Sequence, residues 1–159
     1  MIPHRSSLFI LLLVAVPASI AAQSQPTFSN PPGLYTPPGS AGPHGYSQVV
    51  EVPAGARLLY ISGQVALDSA GNLVGAGDFR AQATKVFENL KLALTSSGAT
   101  FKNVIKLNFY VTDAHNLAVL REVRDQFVNT SAPPASTLVE VKGLFRPDVI
   151  LEVEAVAVK

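Results

Sequence analysis

Apolar positions change their spacing several times along this chain, and each change marks an element. Residues 46–52 (YSQVVEV) and 58–65 (LLYISGQV) are β-branched and aromatic runs separated by Pro53, Gly55 and other small residues, which predicts two antiparallel strands. Asp68 to Asn72 (DSAGN) reads as a turn. From Asp78 the spacing shifts to steps of three and four through Phe79, Ala83, Val86, Phe87, Leu90 and Leu94. That is an amphipathic helix, with Asp78 as its N-cap and Gly98 as its stop. Residues 104–112 (VIKLNFYVT) alternate as a strand. Asp113 then caps a second helix carrying Leu117, Leu120, Val123 and Phe127, closed by Pro133 and Pro134. Two strands follow, 137–142 and 149–158, joined by a turn through Gly143 and Pro147. The order β-β-α-β-α-β-β implies an α+β sandwich with both helices on one face of a mixed sheet. In the last strand Val149, Leu151, Val153 and Ala155 alternate with Ile150, Glu152, Glu154 and Val156. A sheet face half apolar and half carboxylate is poorly suited to bulk water, so oligomerisation through it is expected, with room for a pocket between subunits.

Residues upstream of 46 follow a different logic. Residues 1–22 combine Arg5, an apolar run from Leu8 to Val16 and the small residues Ala18, Ser19, Ala21 and Ala22, the layout of a secretory signal peptide. The run is shorter than the roughly 20 residues a membrane span needs. Export to a periplasmic or extracellular space is therefore expected, with no membrane attachment after cleavage near Ala21 or Ala22. Residues 23–45 contain no Lys, Arg, Asp or Glu and hold six of the 12 prolines, so they read as a Pro-rich linker. The folded domain is expected over 46–159.

Composition mainly excludes. The 159 residues carry 12 Lys+Arg against 11 Asp+Glu, and loss of Arg5 with residues 1–22 leaves 11 of each sign. A neutral chain has no general attraction for nucleic acid, so no nucleic-acid partner is expected. With no Cys there is no disulfide, thiolate metal site or Cys nucleophile. The three histidines, His4, His44 and His115, have no metal-ligand spacing, so no metal is expected. Gly75-Ala76-Gly77 lacks the third Gly and the Lys of a phosphate loop and reads as loop punctuation, and Asn129-Thr130-Ser131 is a formal glycosylation sequon.

Five segments carry a resemblance. GYSQVVEV (45–52), YISGQVALD (60–68), NVIKLNFYVTD (103–113), PPASTLVEV (133–141) and LEVEAVAV (151–158), in this order and spacing, resemble the RidA/YjgF family of reactive-intermediate deaminases. The resemblance implies a chorismate-mutase-like subunit assembled as a homotrimer, with small-molecule clefts at the subunit interfaces. It implies hydrolysis of 2-imino or 2-enamino acids to 2-keto acids and ammonia without metal or cofactor. It further implies that Tyr46 is the pocket tyrosine, that Ser62 and Gly63 form the pocket wall, and that Glu152 is the carboxylate that positions water. The family's carboxylate-binding Arg follows the Pro-small pair before the penultimate strand, and here Pro134-Ala135 is followed by Ser136. A fork-shaped guanidinium matches a carboxylate through two charge-assisted bonds, whereas a serine hydroxyl donates one. Arg146, in the final turn, is a candidate substitute. Three readings follow: a hydrolase of weak or altered activity, supported by Tyr46 and Glu152; a non-catalytic exported trimer binding a metabolite or a protein, supported by Ser136; and an endoribonuclease, which the neutral charge and the lack of a histidine pair disfavour.

Overall fold

The computed structural model describes residues 25–36 and 45–159. The expected signal peptide, His4, His44 and much of the expected linker lie outside the described residues. Two antiparallel strands, β1 (Thr27–Ser29) and β2 (Val49–Glu51), form a small sheet. The main sheet contains β3 (Leu58–Gln64), β4 (Val104–Val111), β5 (Ala135–Glu140) and β6 (Leu151–Val158) in the order β3-β6-β4-β5. β6 runs antiparallel to both its neighbours and β4 parallel to β5, so the sheet is mixed. Helices α1 (Phe79–Ser96) and α2 (Leu117–Arg124) pack on one face, as the element order predicts.

Local chemistry explains α1 at both ends. The Asp78 carboxylate accepts the Ala81 N–H, satisfying one of the free donors of the first turn. At the other end Gly98 adopts φ +72°, and its N–H and that of Ala99 return to the carbonyls of Thr95 and Leu94. This Schellman arrangement depends on a residue that tolerates the left-handed region. Between the caps, the predicted stripe Phe79, Ala83, Val86, Phe87, Leu90 and Leu94 is buried throughout. Each fully buried large side chain contributes about 1.5–3 kcal/mol. Phe87 stacks on Phe127 with ring centroids 5.2 Å apart and also meets Phe101 and Phe109, which ties helix to sheet.

Four expectations are corrected. Residues 46–52 and 58–65 do not pair with each other; β2 pairs with Thr27–Ser29 and β3 with β6. The reason lies at the chain end, where Arg57 and Lys159 exchange both backbone hydrogen bonds and zip β3 onto β6. The Pro-rich segment is therefore more than a linker: it supplies β1, and Asn30 accepts the Gln48 N–H through its side chain. The second helix ends at Arg124, and Asp113 caps a separate 3₁₀ turn, Ala114–Asn116, through the His115 N–H. Phe127 keeps its core contacts from the turns beyond. The last two strands also shift, to 135–140 and 151–158. The Ile150 N–H is taken by the buried Gln82 side chain rather than by a strand partner.

Candidate functional site

The approach of Tyr46 to the sheet begins with Ser47. Its N–H donates to the Pro134 carbonyl (3.1 Å), and its buried hydroxyl donates to the Pro133 carbonyl (2.7 Å). Ser47 forms a parallel bridge to Ala135, so the segment before β2 docks onto the start of β5. This sets Tyr46 beside Ser136. Ser136 registers with the buried Leu107, so its side chain lies on the helix face of the sheet. The two residues line one cleft of about 290 Å³ between β5 and α2. Its apolar walls are Phe109, Leu117, Leu120 and Leu138, and its remaining lining residues are Arg121 and Arg124.

Glu152, Ser62 and Gly63 lie elsewhere. Leu151, Val153, Ala155 and Ala157 belong to the core, so the intervening Glu152 and Glu154 point to the opposite, helix-free face. Gly63 lies directly beneath Glu152: a Cβ there would come within 1.8 Å of Oε1. Ser62 lines a shallow depression on this face with Tyr60, Asn108 and Glu154. Glu154 accepts hydrogen bonds from Asn108 Nδ2 (3.2 Å) and Tyr110 Oη (3.1 Å). The bond to Glu154, with burial and the nearby carboxylates adding to it, raises the Tyr110 phenol above its ordinary pKa. Among the described residues, the Glu152 side chain has no such partner. Of the five residues singled out from sequence, the subunit thus brings together Tyr46 with Ser136, and Gly63 with Glu152, on opposite faces of one sheet.

Arg146 does not reach the cleft. It is held by Asp148 through Nε (3.0 Å) and Nη2 (2.6 Å), and its Nη1 donates to the Gly71 carbonyl. Arg124, which sequence reasoning passed over, is in the cleft and only 7% exposed. The available signal was its phase: 124 falls four residues after Leu120 and seven after Leu117, in step with the apolar stripe. His115 is exposed and pairs with Asp113 (2.7 Å), as a first-turn residue should. Gly75 and Gly77 punctuate the loop before α1 at φ +76° and +71°. Among the described residues no cluster of His, Asp or Glu has the arrangement of a metal site.

Comparison with known proteins places this geometry in context. A family model described as Endoribonuclease L-PSP matches residues 39–159. The chain is 40% identical over 121 residues to protein DfrA of Myxococcus xanthus, covering 76% of this chain and 88% of that one. It is 29% identical over 93 residues to a protein of Dermatophagoides farinae named 2-iminobutanoate/2-iminopropanoate deaminase, covering 58% and 70%. Among solved structures, the Rid-family protein YyfB of Yersinia pestis matches with a TM-score of 0.76 and 34% identity over 86% of this chain and all of its own. Escherichia coli TdcF, determined with bound serine, matches with a TM-score of 0.59 and 32% identity, covering 68% and 84%.

Proposed function

The chain belongs to the RidA/YjgF family, and from that premise we propose that it hydrolyses a small reactive 2-imino or 2-enamino acid in a cleft completed by a second copy of itself. The observation that carries this reading is the division of the site. Tyr46 and Ser136 lie on the helix face and Glu152 with Gly63 on the open face. One subunit cannot apply both sets to a single small substrate, whereas a neighbour's open face laid against the β5 edge can. The open face also exposes Leu58, Tyr60 and Val139, apolar surface that suits burial in an assembly. A homotrimer, the usual family assembly, provides three such junctions.

The chemistry asks little of the protein. The imine carbon is already electrophilic, and water adds to it to give a carbinolamine. The carbon–nitrogen bond then breaks, leaving the 2-keto acid and ammonia. Glu152 orients the water and accepts its proton, and the Tyr46 phenol bonds the nitrogen or the new oxygen. Proximity supplies much of the remaining acceleration. The name of the mite relative and the serine bound to TdcF, an amino acid, support a substrate of this class. The pattern of residues 1–22 supports action after export.

The test couples an amino-acid oxidase, which releases 2-iminobutanoate or 2-iminopropanoate, to semicarbazide capture of the imine that remains. The purified chain is expected to reduce semicarbazone formation, and Glu152→Gln to lose that effect. Absence of imine removal by the wild type overturns hydrolysis of these substrates and favours the non-catalytic binding alternative, which the neutral Ser136 supports.

A further inference from the structure

Arg124 is the only charged side chain buried among the described residues. Its guanidinium lies against Gly45, where a Cβ would come within 1.8 Å of Nη2, so glycine at 45 is what lets the cation settle beside Tyr46. Asp125, itself partly exposed, engages Nε (2.8 Å) and Nη2 (2.7 Å) but not Nη1. Arg121 adds a second cation to the same lining, and Asp125 is not part of that lining. Burying a guanidinium is unfavourable unless charge and hydrogen bonds compensate it. The cleft therefore joins two cations to walls of Phe109, Leu117, Leu120 and Leu138, which have no polar group to offer a ligand. That pairing fits a small carboxylic acid with a short aliphatic chain: the cation takes one end and the walls take the other.

We propose that Arg124, delivered from α2, anchors the ligand's carboxylate in place of an arginine at position 136. The identity of the acid rests on the imine-hydrolysis reading; the contact itself does not. Nη1, together with the Ser136 hydroxyl, bonds the carboxylate, while Asp125 holds the guanidinium in plane from its other edge.

The probe is 2-oxobutanoate, the stable product of 2-iminobutanoate hydrolysis, compared by calorimetry with its uncharged amide. The full-length protein is expected to bind the acid about tenfold or more tightly than the amide, the effect of one charge-assisted contact. Arg124→Gln should abolish that preference with the fold and assembly intact, and Arg124→Gln with Ser136→Arg should recover it. Should Arg124→Gln fail to fold, the Arg124 Nε resonance of the wild type, assigned with Arg124→Lys, is the second readout and should shift on titration with the acid. Equal binding of the acid by folded Arg124→Gln, an unmoved Arg124 resonance at saturation, or no preference for the acid in the wild type would each overturn the proposal. The two readings fail separately. Arg124-dependent acid binding without imine hydrolysis removes only the hydrolase, and hydrolysis with an unchanged KM in Arg124→Gln removes only the anchor.

Discussion

Gly63 shows how one missing side chain fixes the position of another. The Glu152 carboxylate occupies the space a Cβ at 63 would need, so Gly63→Ala must push it aside. Glu152 lies on the partly open face and not in the core, so the expected outcome is retained folding with damaged catalysis. If Glu152 positions water, kcat/KM for imine hydrolysis should fall by about 10² or more, the usual contribution of general acid–base catalysis. A wild-type rate in Gly63→Ala would mean that the present position of Glu152 is not needed. A second residue-scale expectation concerns His115. Asp113, bonded to its ring, raises the imidazole pKa, while the His115 backbone N–H and ring lower that of Asp113. A raised histidine pKa contributes stability at pH below its unfolded value and loses it as pH rises through the folded value. A lowered aspartate pKa contributes above its unfolded value and loses it as pH falls through the folded one. The pair therefore acts between those two titrations and is lost at either extreme. Both groups are exposed, and solvent screens them, so thermal stability should barely register the pair. NMR titration should instead show the His115 pKa falling in Asp113→Asn; an unchanged value would rule out the contact.

Between elements, Gln82 joins helix to sheet. It is fully buried on α1, its Nε2 donates to the carbonyls of Gly75 (3.2 Å) and Asp148 (2.9 Å), and its Oε1 accepts the Ile150 N–H (3.1 Å). Gln82→Leu preserves volume but strands the Asp148 carbonyl and the Ile150 N–H, while the Gly75 carbonyl keeps the Asp78 N–H, and urea unfolding should show a loss of about 2 kcal/mol or more. A loss below about 1 kcal/mol would mean that water replaces the amide. Gln82 also marks where sequence reasoning stops. Helix α1 was legible because its signals are local: Asp78, Gly98 and a stripe of period 3.6 act within a few residues. The partners of β2 and β3 were not, because β1 is only three residues long and Lys159 lies at the other end of the chain from β3. No local pattern encodes such pairing. The same limit applies to the site. Tyr46, Ser62, Gly63, Ser136 and Glu152 were singled out only through resemblance, while Arg124 was hidden because a charged helical residue ordinarily reads as a solvated one.

For the whole molecule, the decisive relation is between the two faces of the sheet. The helix face is covered by α1 and α2 except at the cleft beside β5, and the opposite face leaves Tyr60 79% exposed in one depression with Glu154. If the catalytic groups on these faces meet only across a subunit junction, activity and assembly must fail together. Light scattering on the wild type is expected to give three times the mass of the denatured chain. Tyr60→Glu, which sets a further negative charge beside Glu154 in the proposed interface, should lower that mass and the imine hydrolysis in parallel. Mixed assemblies give a sharper test. Tyr46→Phe retains an intact Glu152, and Glu152→Gln retains an intact Tyr46. Unfolding the two inactive variants together and refolding them distributes subunits at random. In a cyclic trimer with each cleft shared by two neighbours, about a quarter of the junctions then pair an intact Tyr46 with an intact Glu152. Activity should recover to about that fraction of the wild type. Refolding each variant alone should recover none, since every junction then lacks the same group. If the mixture also recovers none while native mass spectrometry, with one variant isotope-labelled, shows mixed trimers, both groups act within a single subunit, and the division of the site between faces is not what builds the cleft.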